Sequence, residues 1–480
     1  MGGTCIGTSF FLRTRPARGR SEAGTSLARL PGIRRIASIG SDRPVGLAVR
    51  HDGVMTQPDL AVAASLLPRF DASPTPYHAV ETVIAQLETA GFIDVSKASA
   101  LVPGRQFWHD GGALIAWATS PDHHAASGYR IVGAHTDSPN LRIKPSPDNQ
   151  TAGWKQLGVE VYGGALLNSW LDRDLGLAGR VVVRTPDGLT VRLFRDDRPI
   201  LRLPQLAIHL DAEISDKGLK LNRQRHMVPV WGGIASAADF RSYLATRLDA
   251  SVDDIVSWDA MPFDLTPAAI VGLNEEFIAT ARVDNQLSCF LAVDALMAAA
   301  EAPGSRIPMI GLFDHEEVGS VSATGAAAPL LSSTIARIQA QLGASPEDAA
   351  RSRRASLVIS ADGAHATHPN YADRHEPEHQ IFLNAGPVLK INANQRYATN
   401  AVSAAEFQIA CESAGSPMQR FISRTDLRCG STIGPATAAL LGIPAVDAGC
   451  AQLAMHSARE MCGALDPAYF GAVLREAMIG

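Results

Sequence analysis

Six cysteines are scattered over 480 residues and no two stand in CxxC spacing, so a disulfide framework is excluded and reduced thiols in a cytosolic protein are expected. No uninterrupted apolar run approaches the ~20 residues that span a bilayer. Charge of one sign is not in large excess either. The formal net charge is -5 with acidic and basic residues interspersed, which leaves no nucleic-acid footprint and no polybasic membrane patch. No internal repeat marks a solenoid, and no long low-complexity tract follows residue 55. Partners are therefore expected in a site and not through a surface field.

The first 53 residues lack lysine, carry few acidic residues, are rich in arginine and sustain neither apolar period. Residues 1–54 read as a disordered or mis-called extension. An organellar transit peptide and a true start at Met55 account for that composition equally well.

With 46% apolar residues, the chain is long enough for more than one core, and two domains are expected. From Met55 the pattern is globular. Two helices separated by a Pro-rich turn are followed by the buried strands "ALIAWAT" and "YRIVGAH". The texture then changes. "GRVVVRTPDGLTVRLFR" alternates apolar and polar residues around Asp187-Gly188, a hairpin signal, and "PILRLPQLAIHL" continues the strand-like composition. From about Asn274 strands alternate with helices again: "ATARVDNQLSCFLAVDALMAAA" reads as a helix and "RIPMIGLF" as a strand. The economical reading is an α/β domain in two parts, 55–145 and 271–480, interrupted by a β-rich insertion over 146–270.

Five segments carry candidate ligands, most of them where a strand ends or a helix begins, the places whose loops converge on a crevice in an α/β sheet. "VGAHTDSPN" offers His135 and Asp137, either as two ligands or as an imidazole and the carboxylate that orients it. In "ARVDNQLS", Asp284 opens a helical stretch, where an N-cap is the simpler role. "GLFDHEEVGS" sets Glu316 beside Glu317 after a strand too apolar to be exposed, so that one carboxylate can bind metal while the other stays free as a base. "SADGAHATHPN" adds Asp362, His365 and His368, and "GCAQLAMHSARE" adds His456 and Glu460. Imidazole mixed with carboxylate suits zinc and tolerates manganese or cobalt, and the absence of cysteine from these clusters excludes a structural zinc knot. Two histidines and three carboxylates suit a pair of ions sharing one carboxylate better than a single catalytic zinc.

Taken in order, "GAHTDSPNLRIKP", "RVDN", "FDHEEVGS", "SADGAHATHPNY", "LKINANQRYAT" and "MHSARE" resemble the aspartyl aminopeptidase family of dinuclear zinc metallopeptidases, from about residue 60 to the C-terminus. The resemblance implies an α/β fold: a metallopeptidase domain with a central mixed sheet flanked by helices, plus an inserted β-rich dimerisation domain. It implies two divalent ions per subunit, held by His135, Asp284, Glu317, Asp362 and His456 with Asp284 bridging. Asp137 would orient His135, and Glu316 would be the general base for hydroxide attack on the peptide bond.

Lys390 is implied to meet an acidic first side chain, helped by Tyr397 and His365, although it could instead be a structural lysine following a strand over Ile381 to Leu389. His209 would reach into a neighbouring subunit's site, while by itself it reads as a strand histidine. Trp170, Asp172, Arg173 and Asp174 match a family segment and are assigned structure. The implied activity is release of N-terminal Asp or Glu from peptides with a free N-terminus by a cytoplasmic homo-oligomer, a dodecamer built from dimers, with no nucleic-acid or membrane partner. The alternatives are a broad or leucine-type aminopeptidase with the same metal pair, or a non-catalytic zinc-binding shell.

Overall fold

The computed structural model describes residues 60–480 apart from residue 238, and the expectation for residues 1–54 lies outside them. A nine-stranded mixed sheet carries the molecule. Its middle consists of four mutually parallel strands in the order Ile307–Phe313, Tyr129–His135, Leu357–Ala361 and Ala445–Gly449. The antiparallel strand Ala113–Ala118 flanks one side of this group, and the antiparallel strand Val388–Ile391 flanks the other.

All seven residues of Ile307–Phe313 are buried, because both faces of the sheet are covered. Ile310 and Leu312 face one core, formed with the helices Ala61–Ala72, Val283–Glu301 and Asp466–Ile479. Ile307, Met309 and Phe313 face a second core, formed with Leu330–Gln341 and Ile433–Leu441. This two-sided burial is why these strands read as continuous apolar runs, each large side chain contributing roughly 1.5–3 kcal/mol. It also aligns the carboxyl ends of four parallel strands along one edge, where polar residues need partners.

Two three-stranded antiparallel sheets lie between the halves of this layout in sequence. One comprises Asn140–Thr151, Trp154–Tyr162 and Val230–Gly232, and the other Leu175–Thr185, Gly188–Leu201 and Ile255–Asp264. They share a core of their own that includes Leu141, Leu157, Leu177, Phe194 and Phe240. The strand Asn140–Thr151 runs through the expected boundary at residue 146.

Several local readings shift. The hairpin turn is Pro186-Asp187, since Gly188 already pairs with Thr185 and uses its freedom from a Cβ at φ +121°. Ala279 and Thr280 end a strand, and the helix starts only at Val283. Lys390 lies within the strand Val388–Ile391 and does not follow one. His209 is not a strand residue: Pro204 breaks the ladder, and the histidine sits exposed in the short 3-10 turn Ile208–Leu210. In the segment around Trp170, Trp170 is buried and Arg173 pairs with Asp264 at 2.8 Å.

Candidate active site

A cavity of about 360 Å³ opens at the carboxyl edge of the parallel strands, and His135, Asp284, Glu316, Glu317, Asp362 and His456 line it. They arrive from five different places in the fold. His135 ends its strand, Glu316 and Glu317 form a 3-10 turn just after Phe313, and Asp362 follows Ala361. His456 sits between the paired strands Ala451–Leu453 and Glu460–Gly463 at φ +71°. Asp284 occupies the first turn of its helix in a non-helical conformation, after which the Asp284–Asn285 peptide is cis. It caps nothing: no side-chain cap bond is made at that terminus, and Asp284 Oδ1 is buried without a hydrogen-bond partner.

The donor atoms fall into two groups that share Asp284. One contains His135, Asp284 and Asp362, the other Asp284, Glu317 and His456, and the ligand atoms within each lie within 4.8 Å of one another. His135 Nε2 is 3.4 Å from Asp284 Oδ1, while His456 Nε2 is 3.5 Å from Asp284 Oδ2 and 3.2 Å from Glu317 Oε2. Glu316 belongs to neither of these groups. Its Oε2 stands 4.0 Å from His135 Nε2, and a third grouping joins it with His135 and Glu317.

This donor set fits divalent cations. Among the described residues, Asp284 Oδ1 and Glu317 Oε1 are buried acceptors without a hydrogen-bond donor. Crowding has an electrostatic signature as well. Burial, reinforced by Asp362 and Asp284, pushes Glu316 up to about 7 against the pull of His135. Burial and Asp284 push Glu317 well above the usual carboxylate range. Burial opposes the charge on His135, but Asp137, Asp284 and Glu316 outweigh it and hold the imidazole above its ordinary value. Buried carboxylates in such number need positive charge among them.

Around the donors lies a supporting layer. Asp137, fully buried, accepts from the Glu316 and Glu317 backbone amides at 3.1 Å each and from the Tyr162 hydroxyl at 2.6 Å. It therefore positions the Glu-Glu turn, and His135 Nδ1 reaches its carbonyl at 3.0 Å and its carboxylate at 3.4 Å. Glu460 accepts from the amides of His456 at 2.6 Å and Asp284 at 3.0 Å, so one carboxylate holds the backbone of both. Sequence reading had no signal for Tyr162, which comes from a hairpin strand 25 residues beyond Asp137. Asp314 and His315 do not line the cavity. Asp314 accepts from the His315 amide at 2.9 Å, and His315 lies 3.0 Å from the Ser322 hydroxyl.

Of the remaining expected residues, Lys390, Tyr397 and His365 line the cavity and His209 does not. Lys390 is 2% exposed, donates to the Gly363 carbonyl at 2.9 Å, pairs with Asp362 Oδ1 at 3.3 Å and lies 5.1 Å from the Tyr397 ring centre. Gly449 is forced small because a Cβ there would collide with the Asp362 carbonyl. Gly449→Ala is therefore expected to cost about 1–3 kcal/mol, read as a lowered denaturation midpoint. An unchanged midpoint would mean that the strand yields without moving Asp362.

The class defined by this fold and donor set is a metal-dependent hydrolase. The family model described as aminopeptidase I zinc metalloprotease (M18) matches residues 70–476, so the chain belongs to the M18 family and is a zinc-dependent aminopeptidase. Among similar proteins is "Probable M18 family aminopeptidase 2" from Mycobacterium tuberculosis, 48% identical over 423 residues, covering 86% of this chain and 97% of that one. The Streptomyces coelicolor protein of the same name is 49% identical over 408 residues, covering 84% and 94%. Among solved structures, one titled as the complex of Ape4 and Nbr1 matches with a TM-score of 0.84 and 36% identity, covering 87% of this chain and 85% of that one. A yeast mApe1 dodecamer matches at 0.76 with 25% identity, covering 87% and 96%. Among the described residues no helix is long and apolar enough to cross a membrane.

Proposed function

We propose that this aminopeptidase removes N-terminal Asp or Glu from peptides using two divalent ions, with His135 and Asp362 on one ion, Glu317 and His456 on the other, and Asp284 shared. The observation that carries this reading is that two of the three compact donor groups meet at the Asp284 carboxylate, while Glu316 enters only the third, with His135 and Glu317. When bound, zinc supplies Lewis acidity toward the scissile carbonyl and acidifies water near neutral pH, with manganese or cobalt able to substitute. Glu316, lining the cavity and held by Asp137 through its backbone, takes a proton from the attacking water and returns it to the leaving amine. The carboxylates around the cavity also attract the substrate's free α-ammonium group, which favours cleavage at the first residue. Family membership sets aside the non-catalytic shell.

Preference for an acidic first residue rests on Lys390. Two of its three donors are engaged, by Gly363 and Asp362, which leaves one for a substrate carboxylate. Lys390→Ala is expected to lower the Asp-to-Leu ratio of kcat/KM on anilide substrates by about 10- to 100-fold, the worth of a charged hydrogen bond. The ratio is the readout because Lys390 also supports Asp362. A clear preference for Leu, unchanged in the variant, would favour the leucine-type reading.

The insertion over 146–270, with its own core, serves as the dimerisation domain in this reading. Exposed Leu206, Ile208 and Leu210 lie near His209 in sequence and support its role as a contact to a neighbouring subunit. The assembly is a cytoplasmic homo-oligomer, and a dodecamer built from dimers is its form by analogy with the yeast dodecamer.

A further inference from the structure

We propose that a second cavity beside the site binds a carboxylate of the substrate beyond its first residue, either the C-terminal carboxylate of a short peptide or an acidic second side chain. The proposal rests on the reading above that the first cavity takes the N-terminal residue.

This second cavity has a volume of about 300 Å³ and shares two walls, His365 and Met455, with the first. The loop 423–432 runs between them, turning Arg424 and Arg428 toward one cavity and Ser431 and Thr432 toward the other. Its lining is basic. Arg374, Arg424 and Arg428 face it against a single carboxylate residue, Glu376, which lies 2.5 Å from His379.

The arginines differ in what they have left to offer. Arg424 is engaged twice by Asp426, at 2.9 and 2.6 Å, and Arg374 lies 3.8 Å from Asp373. Arg428 is exposed, and among the described residues its side chain has no hydrogen bond or ion pair. A free guanidinium in a basic recess presents a planar fork that matches a carboxylate.

Position decides which carboxylate. Lys390 and Tyr397, at 2% and 5% exposure, are buried walls of the first cavity, and Arg428, a wall of the second, is exposed. A chain whose first side chain meets Lys390 would lead its next residues past the shared walls His365 and Met455 to Arg428.

The test uses the full-length zinc-loaded enzyme and two matched pairs: Asp-Ala-Ala as free acid and as C-terminal amide, and Asp-Glu-amide against Asp-Gln-amide. The acid, or the Glu peptide, is expected to be preferred by about tenfold in kcat/KM, mostly through KM. Arg428→Ala should bring that ratio close to one, and Arg428→Glu should reverse it. Whichever pair responds identifies the terminus or the second side chain as the source of the carboxylate. Ratios in both pairs that neither variant moves would overturn the proposal. So would a fall in the Asp-to-Leu anilide ratio in their place, because the cavity would then hold the first side chain. Running Leu-Ala-Ala acid and amide in parallel separates the two readings: if the acidic first-residue preference is wrong, the Leu pair still responds to Arg428.

Discussion

Glu316→Gln is expected to lower kcat by about 10²–10⁴-fold while the protein keeps its full complement of metal. The amide has the same shape as the carboxylate but cannot take up a proton at neutral pH. Its effect should fall on proton transfer, because Glu316 lies outside both donor groups that share Asp284. The backbone bond from Glu316 to Asp137 does not depend on the side chain, so the turn carrying Glu317 stays in place. Single-turnover kinetics on an anilide substrate together with elemental analysis of the same sample check both halves. Activity surviving at a comparable level would show that another group moves the proton. Loss of metal would place Glu316 among the ligands.

Asp284→Asn should have the larger effect on metal. Both donor groups use this carboxylate, so both lose an anionic oxygen in one substitution, and activity is expected to fall by about 10³-fold or more. His456→Ala touches only the group containing Glu317 and should remove metal from that position alone. Added zinc should raise the thermal midpoint of the wild-type protein, since each ion present at 100 times its dissociation constant adds about 2.7 kcal/mol to the folded state. That zinc-dependent shift is expected to be lost in Asp284→Asn, halved in His456→Ala and retained in Glu316→Gln. Equal loss of metal in the Asp284 and His456 variants would refute the shared carboxylate, or show that the second ion cannot bind alone.

Much of this was legible in the sequence because it depends on local pattern. The runs "YRIVGAH" and "RIPMIGLF" are strands since nothing but burial on both faces tolerates so little polarity. The polar clusters right after them mark strand ends. Local pattern failed where a tertiary partner overrode it. Asp284 has the sequence position of a cap, yet its amide is held by Glu460 from a distant hairpin and its carboxylate faces two histidines. His209 looked like a strand residue in a strand-like composition, but among the described residues no strand pairs with that segment. Tyr162 was invisible because a tyrosine at the end of a hairpin strand has no distinguishing mark until Asp137 is seen 2.6 Å away.

The sequence by itself determined the strands, the kinds of donor and their placement at strand ends, because apolar periodicity and the cost of burying charge act within a few residues. Only the tertiary structure decided that Asp284 lies between His135 and His456, that Glu316 stands apart from the groups Asp284 joins, and that Arg428, in the neighbouring cavity, has no side-chain partner among the described residues. The contacts of Asp284 with His135 and His456 join residues more than a hundred positions apart across a few ångströms, and they are set by how sheet and helices pack.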